Sequence, residues 1–152
     1  MSRSRRAAAT AAGVVLFATV LIAAFGFVSL LLDEDVIVTP SLGQVPGVIA
    51  VGASLASMAL TIWVRMPASG VWGTLLWSGL AAFLGYLAGL GVASVFATAD
   101  GVLALSAVGR AATTWRGLVV IAAAILGAAM ALAIARGAGE NARWPWERDD
   151  DE

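Results

Sequence analysis

Along this chain the hydrophobic positions gather into four runs, at about residues 11–32, 46–64, 70–96 and 117–135, each bounded by charge, proline or glycine. A run of about 20 apolar residues, wound as a helix at about 1.5 Å per residue, crosses the hydrocarbon layer of a bilayer. The pattern therefore predicts an all-α, polytopic membrane protein with four transmembrane helices in an up-down bundle.

The third run, Gly70 to Phe96, carries the clearest internal pattern. At 100° per residue, Thr74, Ser78, Ala81, Ala82, Gly85, Gly89 and Ala93 share one side, with Leu76, Leu80, Phe83, Leu87 and Leu90 roughly opposite. Lipid gives no reward for hiding leucine, so helices in a bilayer hold together through close backbone approach at small residues and a few interhelical hydrogen bonds. The small side, with Gly85-x-x-x-Gly89 at its centre, is expected to face protein and the leucine side to face lipid.

Matching stripes occur on two neighbours. Ala50, Ser54, Ser57 and Thr61 follow a 4-3-4 spacing in the second run, and Ala124, Ala128, Ala131 and Ala135, with Gly127, make a small face on the fourth. The fourth run is thus the natural partner of the third, and Gly85 and Gly89 read as a seam inside one bundle rather than as a dimer motif. Arg65 closes the second run, and the short Met66-Pro67-Ala68-Ser69 connection makes the second and third runs antiparallel neighbours. Thr61 and Thr74 then lie at similar depth, placed to hydrogen-bond across the hairpin.

Residues 97–115 are too polar for a full crossing, yet Val102, Leu105 and Val108 recur at helical spacing behind a cap at Thr98 or Asp100. They predict a short interfacial helix or, alternatively, a continuation of the third span bent at Gly101. The first apolar run is longer than a signal sequence's and lacks an A-x-A cleavage pattern, so it reads as an uncleaved helix. The chain divides into a basic N-terminus (1–10), a four-helix domain (11–136) and an acidic tail (137–152) with Trp144-Pro145-Trp146 as its bulky group.

Composition agrees with this division: 61% of the 152 residues are hydrophobic and 12% charged, against about 25% charged in a globular protein. A net charge of -1 gives no reason to expect nucleic acid as a partner. Arginine placement sets the orientation. With the N-terminus inside, Arg3, Arg5, Arg6, Arg65, Arg136, Arg143 and Arg148 are inside and only Arg110 and Arg116 outside. The expected location is the bacterial cytoplasmic membrane with both termini cytoplasmic. Trp63 and Trp72 then flank the inner surface and Trp115 the outer one, while Trp77 lies deeper and is expected to pack between helices.

Candidate chemistry is sparse. The sequence has no Cys and no His, which removes thiolates, imidazole bases and the usual zinc ligands. Every carboxylate lies in a loop or tail, whereas proton relays and ion paths are marked by ionisable residues inside the membrane. The adjacent carboxylates Asp33-Glu34-Asp35 read as solvated charge that ends the first span. In size the chain resembles the small multidrug resistance transporters, but no residue of its first run stands in for their membrane-embedded glutamate. Ser54, Ser57 and Ser78 have no base at their depth, and Tyr86, the one tyrosine, suits an interhelical hydrogen bond better than catalysis.

No enzyme activity, cofactor or metal is expected. The expected partners are membrane lipid and either another membrane protein or a second copy of the chain. Arg65, Trp144 and Trp146 are the candidate contacts, with Arg65 read chiefly as a snorkelling residue that fixes orientation. The functional expectation is a non-enzymatic accessory, scaffolding or interaction component. The alternative is a small transport or channel subunit acting as an oligomer, its path lined by Ser54, Ser57, Thr61, Thr74 and Ser78.

Overall fold

A computed structural model describes residues 2–33, 44–66 and 70–137. Five helices follow one another: α1 (Arg3–Leu32), α2 (Val45–Arg65), α3 (Val71–Thr98), α4 (Gly101–Thr113) and α5 (Trp115–Gly137). All but α4 are long and apolar enough to cross a membrane. No strand occurs among the described residues.

The first helix begins earlier than the hydropathy pattern suggests. Ser2 accepts a hydrogen bond from the Arg5 amide, and Arg3, Arg5 and Arg6 form the first turns of a helix of 30 residues, about 45 Å long. Arginine is a good helix former, so the basic run continues the winding even though positive charge at a helix N-terminus is opposed by the helix dipole. At the other end, Asp33 closes the helix in the left-handed conformation, with φ 50°.

The α3–α4 boundary lies at Ala99, not at Gly101. Ala99 takes φ 53° and its amide bonds to Val95 O, so α3 ends there. Asp100 then caps a new helix, accepting from the amides of Val102 and Leu103 at 2.8 and 3.2 Å. This satisfies two of the amides that a helix start leaves without partners. The segment is thus a separate helix rather than a bent continuation of the span.

Pairwise contacts give the arrangement. Gly85 lies against Ala53 and Ser57, and Gly89 against Ile49, Ala50 and Ala53, so α2 and α3 run antiparallel. Gly79 meets Ile121 and Ile125 while Gly117 meets Phe83, so α3 and α5 are antiparallel too. The third pair, α1 with α5, is joined by Gly13 against Gly127 and Ala131 at one end and by the rings of Phe25 and Trp115 at the other. Helix α3 thus touches α2, α4 and α5, and α5 touches all four of the others.

Alanines line much of the interior beside a few large side chains, Phe17, Leu21, Met58 and Ile62, and most of the leucines face outward. Ala50, Ala82, Ala107, Ala111, Ala124, Ala128 and Ala131 are fully buried, whereas Leu30, Leu60, Leu76, Leu105 and Leu118 are exposed. An outer surface so rich in leucine is what lipid solvation permits.

Candidate functional site

Of the residues singled out from the sequence, Ala50, Ser54, Ser57, Gly85 and Gly89 converge on the α2–α3 seam. Ser54 donates from Oγ to Ala82 O across the two helices at 2.8 Å. Ser54, Thr74 and Ser78 are completely buried. A Cβ added at Gly85 would meet Ser57 and come within 2.9 Å of Ala53 O, and one at Gly89 would lie 2.7 Å from Ala53 Cβ and 2.9 Å from Ala50 Cα. The two glycines thus let α2 approach to backbone contact.

The threonines behave differently from expectation. Thr61 Oγ1 donates to Ser57 O at 2.8 Å, and Thr74 Oγ1 to Gly70 O at 3.3 Å. Each hydroxyl bonds back to its own helix, one turn earlier, where a carbonyl is always within reach. No bond joins them across the hairpin. Ser78 Oγ is buried with no hydrogen-bond partner.

The small face of α5 lies mainly on α1. A Cβ at Gly127 would come within 2.6 Å of Gly13 O, 2.7 Å of Met58 Cε and 2.9 Å of Phe17 Cβ, and one at Gly13 within 2.6 Å of Gly127 O and 2.9 Å of Ala131 Cβ. Ala124 and Ala128 are fully buried in the same core. Helix α3 instead meets α5 through Gly79, against the larger Ile121 and Ile125. Gly13 was not legible as a contact residue, because it stands alone in an alanine-rich helix start with no second glycine at a four-residue spacing.

The leucine side of α3 divides. Leu76 and Leu80 are exposed, Phe83 and Leu87 are half-buried, and Leu90 is buried. The second half of this face is covered because α5 and α4 lie over it; Val108 of α4 reaches Gly91. On α4 the alanines Ala104, Ala107 and Ala111 are buried and the large Val102 and Leu105 point outward. Of its periodic apolar residues, Val102 and Leu105 thus mark the outer face, while Val108 turns inward onto Gly91.

Arginines meet tryptophans at both ends. The Arg6 guanidinium lies 5.4 Å from the centre of the Trp63 ring, and that of Arg65 4.5 Å from Trp77. Trp77 is nearly half exposed; it supports Arg65 on the outer face and does not pack between helices. Arg116, counted from the sequence among the surface arginines, is only 6% exposed and lies 4.9 Å over Trp115. Around it, Phe25 stands edge-on to Trp115 at 5.8 Å and to Tyr86 at 6.3 Å. The sequence signal for this cluster is Trp115-Arg116 directly ahead of Gly117, where a span begins beneath α4. Trp144 and Trp146 lie outside the described residues.

Comparison with curated proteins and with solved structures yields no match. A family model does match, over residues 1–152, and the chain belongs to that family, a family of unknown function (DUF6121).

Proposed function

We propose that this protein is a non-enzymatic accessory or scaffolding component of the bacterial cytoplasmic membrane, crossing it four times with both termini in the cytoplasm. The observation that carries the reading is the use to which the polar residues are put. Ser54 spends its hydroxyl on a carbonyl of the neighbouring helix, and Ser57 and Ala53 close against Gly85. These residues seal helices together and leave the large apolar side chains of the outer faces for contact with other membrane components. The inside position of the Arg3, Arg5, Arg6, Arg65 and Arg136 end follows from the bias of arginine toward the cytoplasmic side.

A small transport or channel subunit acting as an oligomer is the alternative, and Ser78 favours it: a buried hydroxyl without a partner is a feature of pathways as well as of seams. The two readings separate in one pair of experiments. The full chain, purified in mild detergent, is expected to bring down a stoichiometric membrane protein that is lost when Trp144 and Trp146 are both changed to Ala. Ion or solute flux in liposomes holding this protein alone, abolished by Ser54→Leu, would establish the transport reading instead. Alkaline phosphatase fused after Gln44 should be active and after Ser69 inactive; the reverse result overturns the orientation.

A further inference from the structure

Helices α3 and α4 form a hairpin. Helix α3 ends at Thr98 and α4 begins at Gly101, and a Cβ at Gly91 would lie 3.2 Å from Val108 Cγ2. Gly91 and Val108 are each about 10 Å of helix away from the turn. A helix laid across the end of the bundle would have left α3 by that point, whereas two antiparallel arms meet at equal distances from their turn. Ala104, Ala107 and Ala111 are buried, one face along the length of α4, so this helix lies lengthwise on the bundle.

Helix α5 continues the same descent. Gly117 meets Phe83, and Gly79 meets Ile121 and Ile125, so the order of contacts along α3 runs from α4 directly into α5. Between them the backbone breaks at Thr114, which takes φ -101° and ψ 173°. Phe25 stands edge-on to both Trp115 and Tyr86, which sets the break level with Tyr86. From that level α3 runs on for about 18 Å to Thr98, and α1 for about 10 Å to Leu32.

We infer that α4 and α5 form one discontinuous membrane crossing, in which α4 lies in the lipid leaflet nearer the α3–α4 turn and the acyl chains of that leaflet cover its outer face. A helix break at membrane depth persists only where protein shelters the freed backbone groups. Here the Thr114 amide bonds to Arg110 O and the Gly117 amide to Thr114 O, at 3.1 and 3.2 Å, and Arg116 and Gly117 are buried. A Cβ at Gly117 would lie 3.2 Å from Ala111 O, so glycine lets the two helix ends close on each other.

The outer face of α4 suits a surface without water. Val102 and Leu105 are exposed on it, and the exposed Ser106 and Thr113 donate to Leu103 O and Gly109 O of their own helix at 2.8 and 2.9 Å. Arg110, exposed in the last turn, has a stem long enough to carry its charge toward the headgroups. The Arg116 guanidinium then lies within the bilayer, beside the break. The inference rests on the bundle crossing a bilayer and holds for either orientation of the termini.

The sequence has no cysteine, so single Ile22→Cys, Val102→Cys, Gly109→Cys and Leu118→Cys variants of the full chain each take one nitroxide. Gly109 has room for the label, since a Cβ there meets nothing within 4 Å, and the other three side chains are exposed. In vesicles of phosphatidylcholine and phosphatidylglycerol, collision with oxygen against collision with a water-soluble nickel chelate reads the depth of each label. The label at Gly109 is expected about 10 Å deeper than that at Val102, and the label at Leu118 deeper again.

Labels at Val102 and Gly109 that share one depth, with the Ile22 label deep, would make α4 an interfacial helix and overturn the inference. A Leu118 label no deeper than that at Gly109 would separate α5 from the descent and overturn it as well. An Ile22 label reached by nickel would instead overturn the membrane reading itself, and this inference with it.

Discussion

Between α2 and α3 the helices close on a mixture of side chain and backbone. Ser57 and Ala53 oppose Gly85, Ala50 and Ala53 oppose Gly89, and a hydrogen bond from Ser54 spans the gap. Between α1 and α5 the close approach is backbone on backbone, each glycine facing the other's carbonyl oxygen at Gly13 and Gly127. The first pair is joined by a connection of a few residues, the second by most of the chain. Closing the longer loop costs more chain entropy, though only logarithmically in length. What separates the seams is how they can yield: a serine changes rotamer, whereas a carbonyl moves only if its helix moves.

The largest effect is therefore expected at the α1–α5 crossing. Gly127→Ala or Gly13→Ala places a methyl group within 2.6 Å of a carbonyl oxygen, and should destabilise the bundle by about 3 kcal/mol, the upper part of the overpacking range. Unfolding in mixed micelles, followed by circular dichroism, measures it. A loss below 1 kcal/mol would mean that α1 leans away freely and that this seam is soft.

Gly89→Ala is expected to cost about 2 kcal/mol, because the added carbon would lie 2.7 Å from Ala53 Cβ and 2.9 Å from Ala50 Cα, so that α2 has to draw back by a few tenths of an ångström. The larger Gly89→Leu should loosen the monomer itself. If it only dissociates an oligomer, as read by cross-linking or light scattering, then Gly85 and Gly89 also serve a contact between copies.

These two seams were not equally legible in the sequence, for a physical reason. The α2–α3 seam joins neighbours across a short connection, so their antiparallel pairing was legible, whereas the small face of the fourth run, read as the partner of the third, lies mainly on α1. The four long helices were legible too, since length and hydropathy are local properties. The α1–α5 contact joins helices about a hundred residues apart, and Gly13 alone among alanines carries no spacing to read. The aromatic cluster beside the buried Arg116 likewise draws Phe25 and Tyr86 from distant helices to Trp115, which no local pattern near Arg116 encodes. Trp77 misled because depth along a helix says nothing of which face a side chain takes.

The interhelical hydrogen bond contributes less than the glycines. Ser54→Ala keeps the volume nearly constant and deletes the bond to Ala82 O, so it should lower stability by about 0.6 kcal/mol, and by about 1.7 at most. The same unfolding assay reads it, and a loss above 2 kcal/mol would make the hydroxyl, and not close packing, the mainstay of the α2–α3 seam.

The smallest effect is expected where a glycine faces no protein. A Cβ at Gly52 would find nothing within 4 Å, although Gly52 lies on the same helix as the seam residues Ala53 and Ser54. Gly52→Ala should leave stability unchanged or raise it by up to about 1 kcal/mol, since alanine favours the helix. This variant separates two causes that Gly89→Ala combines, the change in helix propensity and the loss of close approach. If Gly52→Ala destabilises the purified protein by more than 1 kcal/mol, the outer face of α2 is covered by a second copy, and the comparison of two internal seams must admit a third between chains.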